Sequence, residues 1–151
     1  MLRYLSAAAG LALGITAIVA QTATAQNLDT IKARKEILKG FGAAAKDPGA
    51  MIKGEVKFDL AKVKAALKTY QEGAAKLPNL FPDDSKTGGD TEALPEIWAK
   101  KKDFLDRFPK LAAAAKAAEG TITDELSFQS DWPKLLGDNC SACHKIYRKQ
   151  K

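Results

Sequence analysis

The chain has 151 residues, of which 46% are hydrophobic and 28% charged, and its formal net charge is +6. A chain of this length can bury a core of ordinary size, so a scaffold that depends on disulfides for its stability is excluded. Its basic residues alternate with acidic ones and are not clustered with aromatic residues, so we expect a solvated surface and no nucleic-acid partner.

The N-terminus is a candidate export signal. Arg3 precedes an apolar stretch over about residues 5–20, and the small residues ATA at positions 23–25 match a signal-peptidase site. A membrane anchor is the alternative, but the stretch contains two glycines and is shorter than the roughly 20 residues of a spanning helix. We therefore predict a signal peptide over residues 1–25, and a periplasmic mature domain over residues 26–151 without a membrane span.

Two segments in the first half have helical spacing. The first, about residues 28–45, has an apolar face that Arg34 interrupts; its members are Leu28, Ile31, Leu38, Phe41 and Ala45. The second begins after Asp59, a good N-cap. Its apolar residues follow at intervals of 3, 4 and 3, namely Leu60, Val63, Leu67 and Tyr70. We predict a helix in each segment.

The second half contains a loop and two further helices. Residues 77–90 are dense in Pro, Gly and Asp and predict a loop. The third helix has Pro95 in its first turn and stops at Gly120, and Pro109 is expected to bend or split it because a proline inside a helix removes a backbone hydrogen bond.

The fourth helix is predicted to begin at Ser130 as its N-cap, with Pro133 in the first turn. Residues on one stripe of this helix are Trp132, Leu136, Cys140, Cys143 and Tyr147. Four amphipathic helices with mostly short connections predict an all-α protein, an antiparallel four-helix bundle.

Both cysteines and the only histidine lie in the motif Cys140-Ser-Ala-Cys143-His144. A disulfide would close a very small loop, and a structural zinc ion needs four ligands that the chain cannot supply. The C-x-x-C-H pattern is instead the attachment signature of c-type haem, in which both thiols form thioethers and the adjacent imidazole binds iron. We predict one covalent haem c, bound near the C-terminal helix, with His144 as the metal ligand.

The second axial position of the iron has few candidate ligands. The common protein ligands are His and Met, and His144 is already used. Met1 leaves with the signal peptide, so Met51 is the remaining methionine, and its position after KDPG favours a packing role in a loop or turn. A lysine or the new N-terminus is a further alternative that we rank below Met51. The sequence therefore favours an open or solvent-occupied position.

Two arginines admit two interpretations each. Arg34 is either a surface arginine whose aliphatic stem covers the edge of the core, or a cation that pairs with a haem propionate. Arg148 lies one turn after His144 and either tunes the field at the imidazole or is a solvated cation at a helix C-terminus.

Four stretches of the mature chain resemble the class II cytochromes c, the cytochrome c′ family: IKARKEIL, LFP, ALPEIW and CSACHKIYR. The resemblance implies a four-helix bundle that holds haem c near its last helix, and a homodimer formed through the first helices. It places Arg34, Lys35, Thr91 and Glu92 near the haem edge.

The same resemblance separates two branches by the residue four positions after the first-helix arginine, which is Leu38 here. Low-spin relatives have Met there as the sixth ligand. In the cytochromes c′ themselves an apolar residue covers the distal face of five-coordinate, high-spin iron. The resemblance therefore implies an open site beneath Leu38.

Three functions follow as hypotheses. The first is a protein that binds nitric oxide, carbon monoxide or another small gas, and the second is an electron carrier for a periplasmic redox partner. The third is a peroxidase-like enzyme, and we rank it last because the sequence offers no distal acid–base group. We expect no enzymatic activity.

Overall fold

The structure is a computed structural model that describes residues 27–150. The predicted signal peptide and its cleavage site lie outside the described residues. The longer helices are α1 (Leu28–Ala44), α3 (Leu60–Lys76), α5 (Lys101–Thr121) and α6 (Glu125–Leu136). The shorter ones are α2 (Lys46–Ile52), α4 (Glu96–Ala99) and α7 (Ala142–Tyr147).

The predicted four-helix bundle is confirmed. Helix α3 packs against α1 and α5, and α5 packs against α6. A π-helical segment, Gly137–Ser141, connects α6 to α7, so these pieces form the fourth rod of the bundle. No helix within residues 27–150 is long and apolar enough to cross a membrane.

The first two helices begin and end close to the predicted residues. Asn27 caps α1 by accepting a hydrogen bond from the backbone N–H of Thr30, and Asp59 caps α3 by accepting one from Lys62. Gly73 marks the close approach of α1 and α3, because a Cβ built there would clash with the ring of Phe41.

The third predicted helix is divided at a different residue from the one expected. The third helix is interrupted at Lys100, which separates α4 from α5, whereas α5 continues through Pro109. Of the two outcomes expected at Pro109, a bend or a split, the split is therefore wrong. Residues 77–90 form the predicted loop, which contains two short 3₁₀ turns, Leu77–Leu80 and Asp83–Ser85.

The fourth rod starts earlier than predicted. Asp124 and Ser127 form a capping box at the start of α6, so the assignment of Ser130 as the N-cap is wrong. Pro133 lies inside α6 and not in its first turn. A proline does not terminate a helix whose start is well capped and whose inner face is buried in the bundle.

The π-helical segment changes which residues of the fourth rod face the bundle. Inward-facing side chains of α6 are Phe128, Trp132 and Leu135. If the α-helix continued with its normal spacing of inward-facing residues, Asn139 and Ile146 would face the bundle. One extra residue in the π turn brings Cys140, Cys143 and Tyr147 to the inner side instead, while Ile146 remains exposed.

Candidate functional site

The two thiols lie at the junction of the π-helical segment and α7. Cys140 belongs to the former and Cys143 to the latter, and both are free and half-buried. Burial raises the pKa of Cys140 to about 11, and it raises the pKa of Cys143 as well. Both sulfurs are therefore neutral thiols at the inner edge of the last rod.

His144 directly follows the second thiol and is exposed. The pKa of its imidazole is lowered, first because the surrounding chain desolvates it and second because Arg148 places a positive charge nearby, while Glu92 acts in the opposite direction. A neutral imidazole is the form that binds a metal. A shallow cavity of about 430 Å³ adjoins it and is lined by Ser141, His144, Lys145, Arg148, Lys149 and Gln150.

Arg148 connects the tail to the loop before α4. Its Nε donates to Oε2 of Glu92 at 2.7 Å, and its backbone N–H donates to the carbonyl of His144. The backbone N–H of Lys149 donates to the carbonyl of Glu92, and that of Leu94 donates to the carbonyl of Tyr147. The residues around His144 are therefore held in place by the loop that contains Glu92.

Arg34 is buried to 1% exposure, so its interpretation as a surface arginine is wrong. Its Nη1 donates to the carbonyl of Leu80 (3.1 Å) and to Oγ of Ser85 (2.8 Å). Its Nη2 donates to the carbonyl of Ser85 (2.9 Å) and to Oγ1 of Thr91 (2.8 Å). The guanidinium also lies 4.6 Å from the ring centre of Phe81. We call these five residues the Arg34 anchor.

The remaining site residues predicted on α1 lie apart from the core. Nζ of Lys35 donates to the backbone carbonyls of Gly89 (2.9 Å) and Asp90 (3.3 Å) in the same loop. Leu38 is 39% exposed and lies outside the packed core, although Ile37 beside it packs against that core. The loop thus joins Arg34, Lys35, Thr91, Glu92 and Arg148. Leu38 lies one turn after Arg34 on the same side of α1, beyond the reach of this hydrogen-bonded group.

Sequence analysis missed a polar group next to Cys143. The hydroxyl of Tyr147 donates to Oδ2 of Asp103, and Nε and Nη2 of Arg107 donate to the same oxygen at 3.1 and 3.0 Å. The pKa of Asp103 is lowered, most strongly by the Tyr147 hydrogen bond and next by Arg107. The spacing of four residues between Asp103 and Arg107 was a visible signal for this pair.

A second group that the sequence did not reveal lies in the interior beside Cys140. The hydroxyl of Tyr70 and Nε1 of Trp132 are buried without a hydrogen-bond partner among the described residues. Their ring centres are 5.9 Å apart, and the pKa of Tyr70 is raised, first by burial and second by the nearby Cys140. We call Tyr70, Trp132 and Cys140 the unpaired cluster. Native structures rarely bury polar groups without partners, so this part of the interior fits a further group that the chain does not itself supply.

The donor set fits covalently bound haem. Two free thiols lie on the inner side of one rod, an imidazole directly follows them, and unpaired polar atoms adjoin the first thiol. In the described part of the chain no three His, Cys, Asp or Glu side chains are grouped so as to hold a bare metal ion. The arrangement thus suits a group that brings its own metal and takes one protein ligand.

Comparisons with known proteins agree with this interpretation. The family model described as cytochrome C′ matches residues 29–148. Cytochrome c′ of Rhodopseudomonas palustris is 50% identical over 150 residues, which are 99% of this chain and 98% of that protein. Cytochrome c-556 of Agrobacterium tumefaciens is 37% identical over 123 residues, which are 81% and 96% of the two chains.

The fold agrees as well. The solved structure of cytochrome c′ from Rhodopseudomonas palustris superposes with a TM-score of 0.79 at 54% identity, and the match covers 82% of this chain and 98% of that one.

Proposed function

The chain belongs to the cytochrome c′ family, and we propose that it is a five-coordinate haem protein that binds a small gas and exchanges single electrons. It has one haem c, bound covalently through Cys140 and Cys143. In the proposal His144 is the only protein ligand of the iron. When bound, the haem supplies an iron atom that can take a diatomic ligand and change its oxidation state.

The placement of Met51 carries this proposal. Its side chain is 5% exposed and belongs to the hydrophobic core, and α2, which contains it, packs against α1 and α3. The predicted packing role of Met51 is confirmed, although it lies in a short helix and not in a loop. A thioether that already contributes to the core is a poor candidate for an iron ligand, because its release would leave a cavity.

The residues around the haem have distinct roles in the proposal. Leu38, an apolar side chain at the position where low-spin relatives have Met, would cover the open face of the haem. Arg34, Lys35, Thr91 and Glu92 would lie along the haem edge, where Arg34 and Thr91 are also hydrogen-bonded to each other. Arg148 and Glu92 set the charge near the imidazole, since the two side chains are paired next to it.

An electron-transfer carrier with six-coordinate, low-spin iron is the second candidate. The relatives named cytochrome c-556 favour it, since one of them is 37% identical over most of the chain. In this candidate Met51 is the ligand, and the protein passes electrons to a periplasmic redox partner. We rank it second because it requires Met51 to leave the core.

Optical spectra of the ferric and ferrous holoprotein separate the two candidates. We expect a high-spin spectrum and binding of carbon monoxide or nitric oxide to the ferrous protein. The variant Leu38→Met should shift the spectrum towards low spin, because it places a thioether where the related branch has one. The variant Met51→Leu should leave the wild-type spectrum unchanged, and a low-spin wild type that becomes high-spin in Met51→Leu would establish the second candidate.

The setting of the protein is part of the proposal. We propose that residues 1–25 are removed on export, that residues 26–151 act in the periplasm, and that two chains pair through their first helices as the family resemblance implies. The protein acts in binding and electron transfer and is not an enzyme. N-terminal sequencing of the exported protein and light scattering of the holoprotein test the processing and the pairing.

A further inference from the structure

Tyr70 has a buried hydroxyl that no group of the described chain satisfies. The side chain is 1% exposed, and its hydroxyl has no hydrogen-bond partner. Trp132, whose Nε1 has the same property, lies beside it. A buried donor without a partner is unfavourable, and two neighbouring ones point to an acceptor that arrives with the cofactor or its ligand.

The neighbours of Tyr70 locate this hydroxyl between α1 and the haem attachment. The ring of Phe41 packs edge-on against that of Tyr70, with ring centres 5.3 Å apart and planes at 81°. Phe41 lies three residues after Leu38, one turn along α1. On its other side Tyr70 packs against Trp132, with ring centres 5.9 Å apart, and Trp132 lies on the rod that carries Cys140 eight residues later. Burial first and the nearby Cys140 second raise the pKa of the Tyr70 hydroxyl, so it stays protonated and acts as a donor.

The position beside Cys140 limits which acceptor the hydroxyl can reach. The vinyl groups that form thioethers and the propionates lie on opposite edges of the haem ring, so a donor next to a thioether is remote from the carboxylates. His144 is exposed, whereas Tyr70 extends from α3 into the interior of the bundle. The remaining acceptor of matching size is a diatomic ligand on the side of the ring away from His144.

We propose that the Tyr70 hydroxyl donates a hydrogen bond to the diatomic ligand of this protein and thereby slows its release. The hydroxyl is then a hydrogen-bond donor beside the open axial position, which favours ligands that can accept a hydrogen bond. Phe41 and Trp132 hold the phenol ring between them. This inference rests on the proposed open axial position.

The test is Tyr70→Phe in the ferrous holoprotein with carbon monoxide as the probe. This substitution removes only the hydroxyl. We expect carbon monoxide to dissociate about two- to tenfold faster, as for the loss of one ordinary hydrogen bond. We also expect the C–O stretching frequency in the infrared to rise, because a donor near the ligand oxygen weakens the C–O bond. A role in packing alone would not move this frequency.

The matched control is Tyr147→Phe. Its hydroxyl is also next to a haem-binding cysteine, but it is satisfied by Asp103 on the other side of the tail. We expect this variant to lose stability and to keep the wild-type stretching frequency.

Three outcomes would overturn the inference. A Tyr70→Phe variant with the wild-type frequency and dissociation rate would do so directly. A frequency that moves in Trp132→Phe and not in Tyr70→Phe would assign the donor to the indole. A wild-type protein that binds no carbon monoxide would overturn the proposed function together with this inference, whereas the first two outcomes leave the proposed function intact.

Discussion

The Arg34 anchor and the unpaired cluster are both buried, but only the anchor is complete within the protein. Four neutral oxygens satisfy the guanidinium of Arg34, and the ring of Phe81 stacks against it. The unpaired cluster instead contains a hydroxyl, an indole N–H and a thiol for which the described chain offers no hydrogen-bond partner or disulfide. The anchor therefore fixes the loop against α1 without any further group, whereas the unpaired cluster fits a group that the chain does not itself supply.

The largest expected effect is on haem attachment, and it tests the region of the unpaired cluster. Replacement of both cysteines, Cys140→Ala with Cys143→Ala, should abolish covalent haem, because no sulfur remains to form a thioether. The mass of the purified protein and its visible spectrum measure the loss. Ser141→Ala, between the two positions, is the control and should retain the full haem mass; haem that remained covalently bound in the double variant would contradict the assignment.

The next largest effect is on the free energy of unfolding, and it tests the Arg34 anchor. Arg34→Met keeps an apolar stem but leaves Ser85, Thr91 and the Leu80 carbonyl without their donor. We expect a decrease of about 3 kcal/mol in the free energy of unfolding, measured with urea on the holoprotein. Arg34→Lys should lose less stability than Arg34→Met but remain below the wild type. An ammonium group lacks the planar guanidinium that donates to several oxygens of the loop at once.

The control for the anchor is Lys35→Met on the same helix. Lys35 is exposed and donates to two carbonyls of the same loop, so its loss should change the free energy of unfolding by no more than about 0.5 kcal/mol. Equal losses in Arg34→Met and Lys35→Met would show that the buried contacts of the anchor do not matter for stability.

A smaller effect tests the packing of α1 against α3 beside the unpaired cluster. In Gly73→Ala the new methyl group would clash with the ring of Phe41, which also packs against the ring of Tyr70. We expect a loss of about 1–3 kcal/mol in the free energy of unfolding. Gly40→Ala in α1 should instead stabilise by about 0.5–1 kcal/mol, since its Cβ meets open space and alanine favours helix. Two changes of the same sign would contradict this account of the packing.

The smallest effect concerns pH and the tail. The pKa of Asp103 is lowered in the folded protein, so its carboxylate stabilises the fold above the unfolded-state pKa, and that contribution is lost as the pH falls through the folded-state value. Asp103→Asn should therefore reduce stability at pH 7, and the difference from the wild type should narrow in acid. Unfolding curves at pH 7 and at successively lower pH values measure it.

Asp106→Asn is the control for Asp103→Asn. It removes only an exposed ion pair with Lys102, so the free energy of unfolding should change little. A difference between Asp103→Asn and the wild type that stayed constant down to the lowest pH would contradict the role of the ionised carboxylate.

The sequence predicted the parts of this protein that depend on local pattern. Helices α1 and α3 follow from their apolar spacing and from the cap at Asp59, and the haem attachment follows from five consecutive residues. Each of these features is confined to one segment of chain, so the rules for one helix or one motif suffice.

Features that depend on distant parts of the chain were not predictable in the same way. The burial of Arg34 requires the loop of residues 80–91 to fold back over α1, and no periodicity encodes that loop. The start of α6 was missed because Ser130 and Asp124 are both acceptable caps, and the choice depends on Phe128 packing into the bundle. The unpaired cluster joins α3 to the fourth rod, which are far apart in sequence, so only the folded chain reveals it.

The π turn at Gly137–Ser141 also bears on how the last rod can vary in length. It adds one residue between the inward-facing side chains of α6 and the cysteines. A chain shortened by one residue here would form an uninterrupted α-helix with Trp132 and both cysteines still facing inwards. The segment therefore lets the preceding helix lose one residue without rotating the haem attachment away from the bundle.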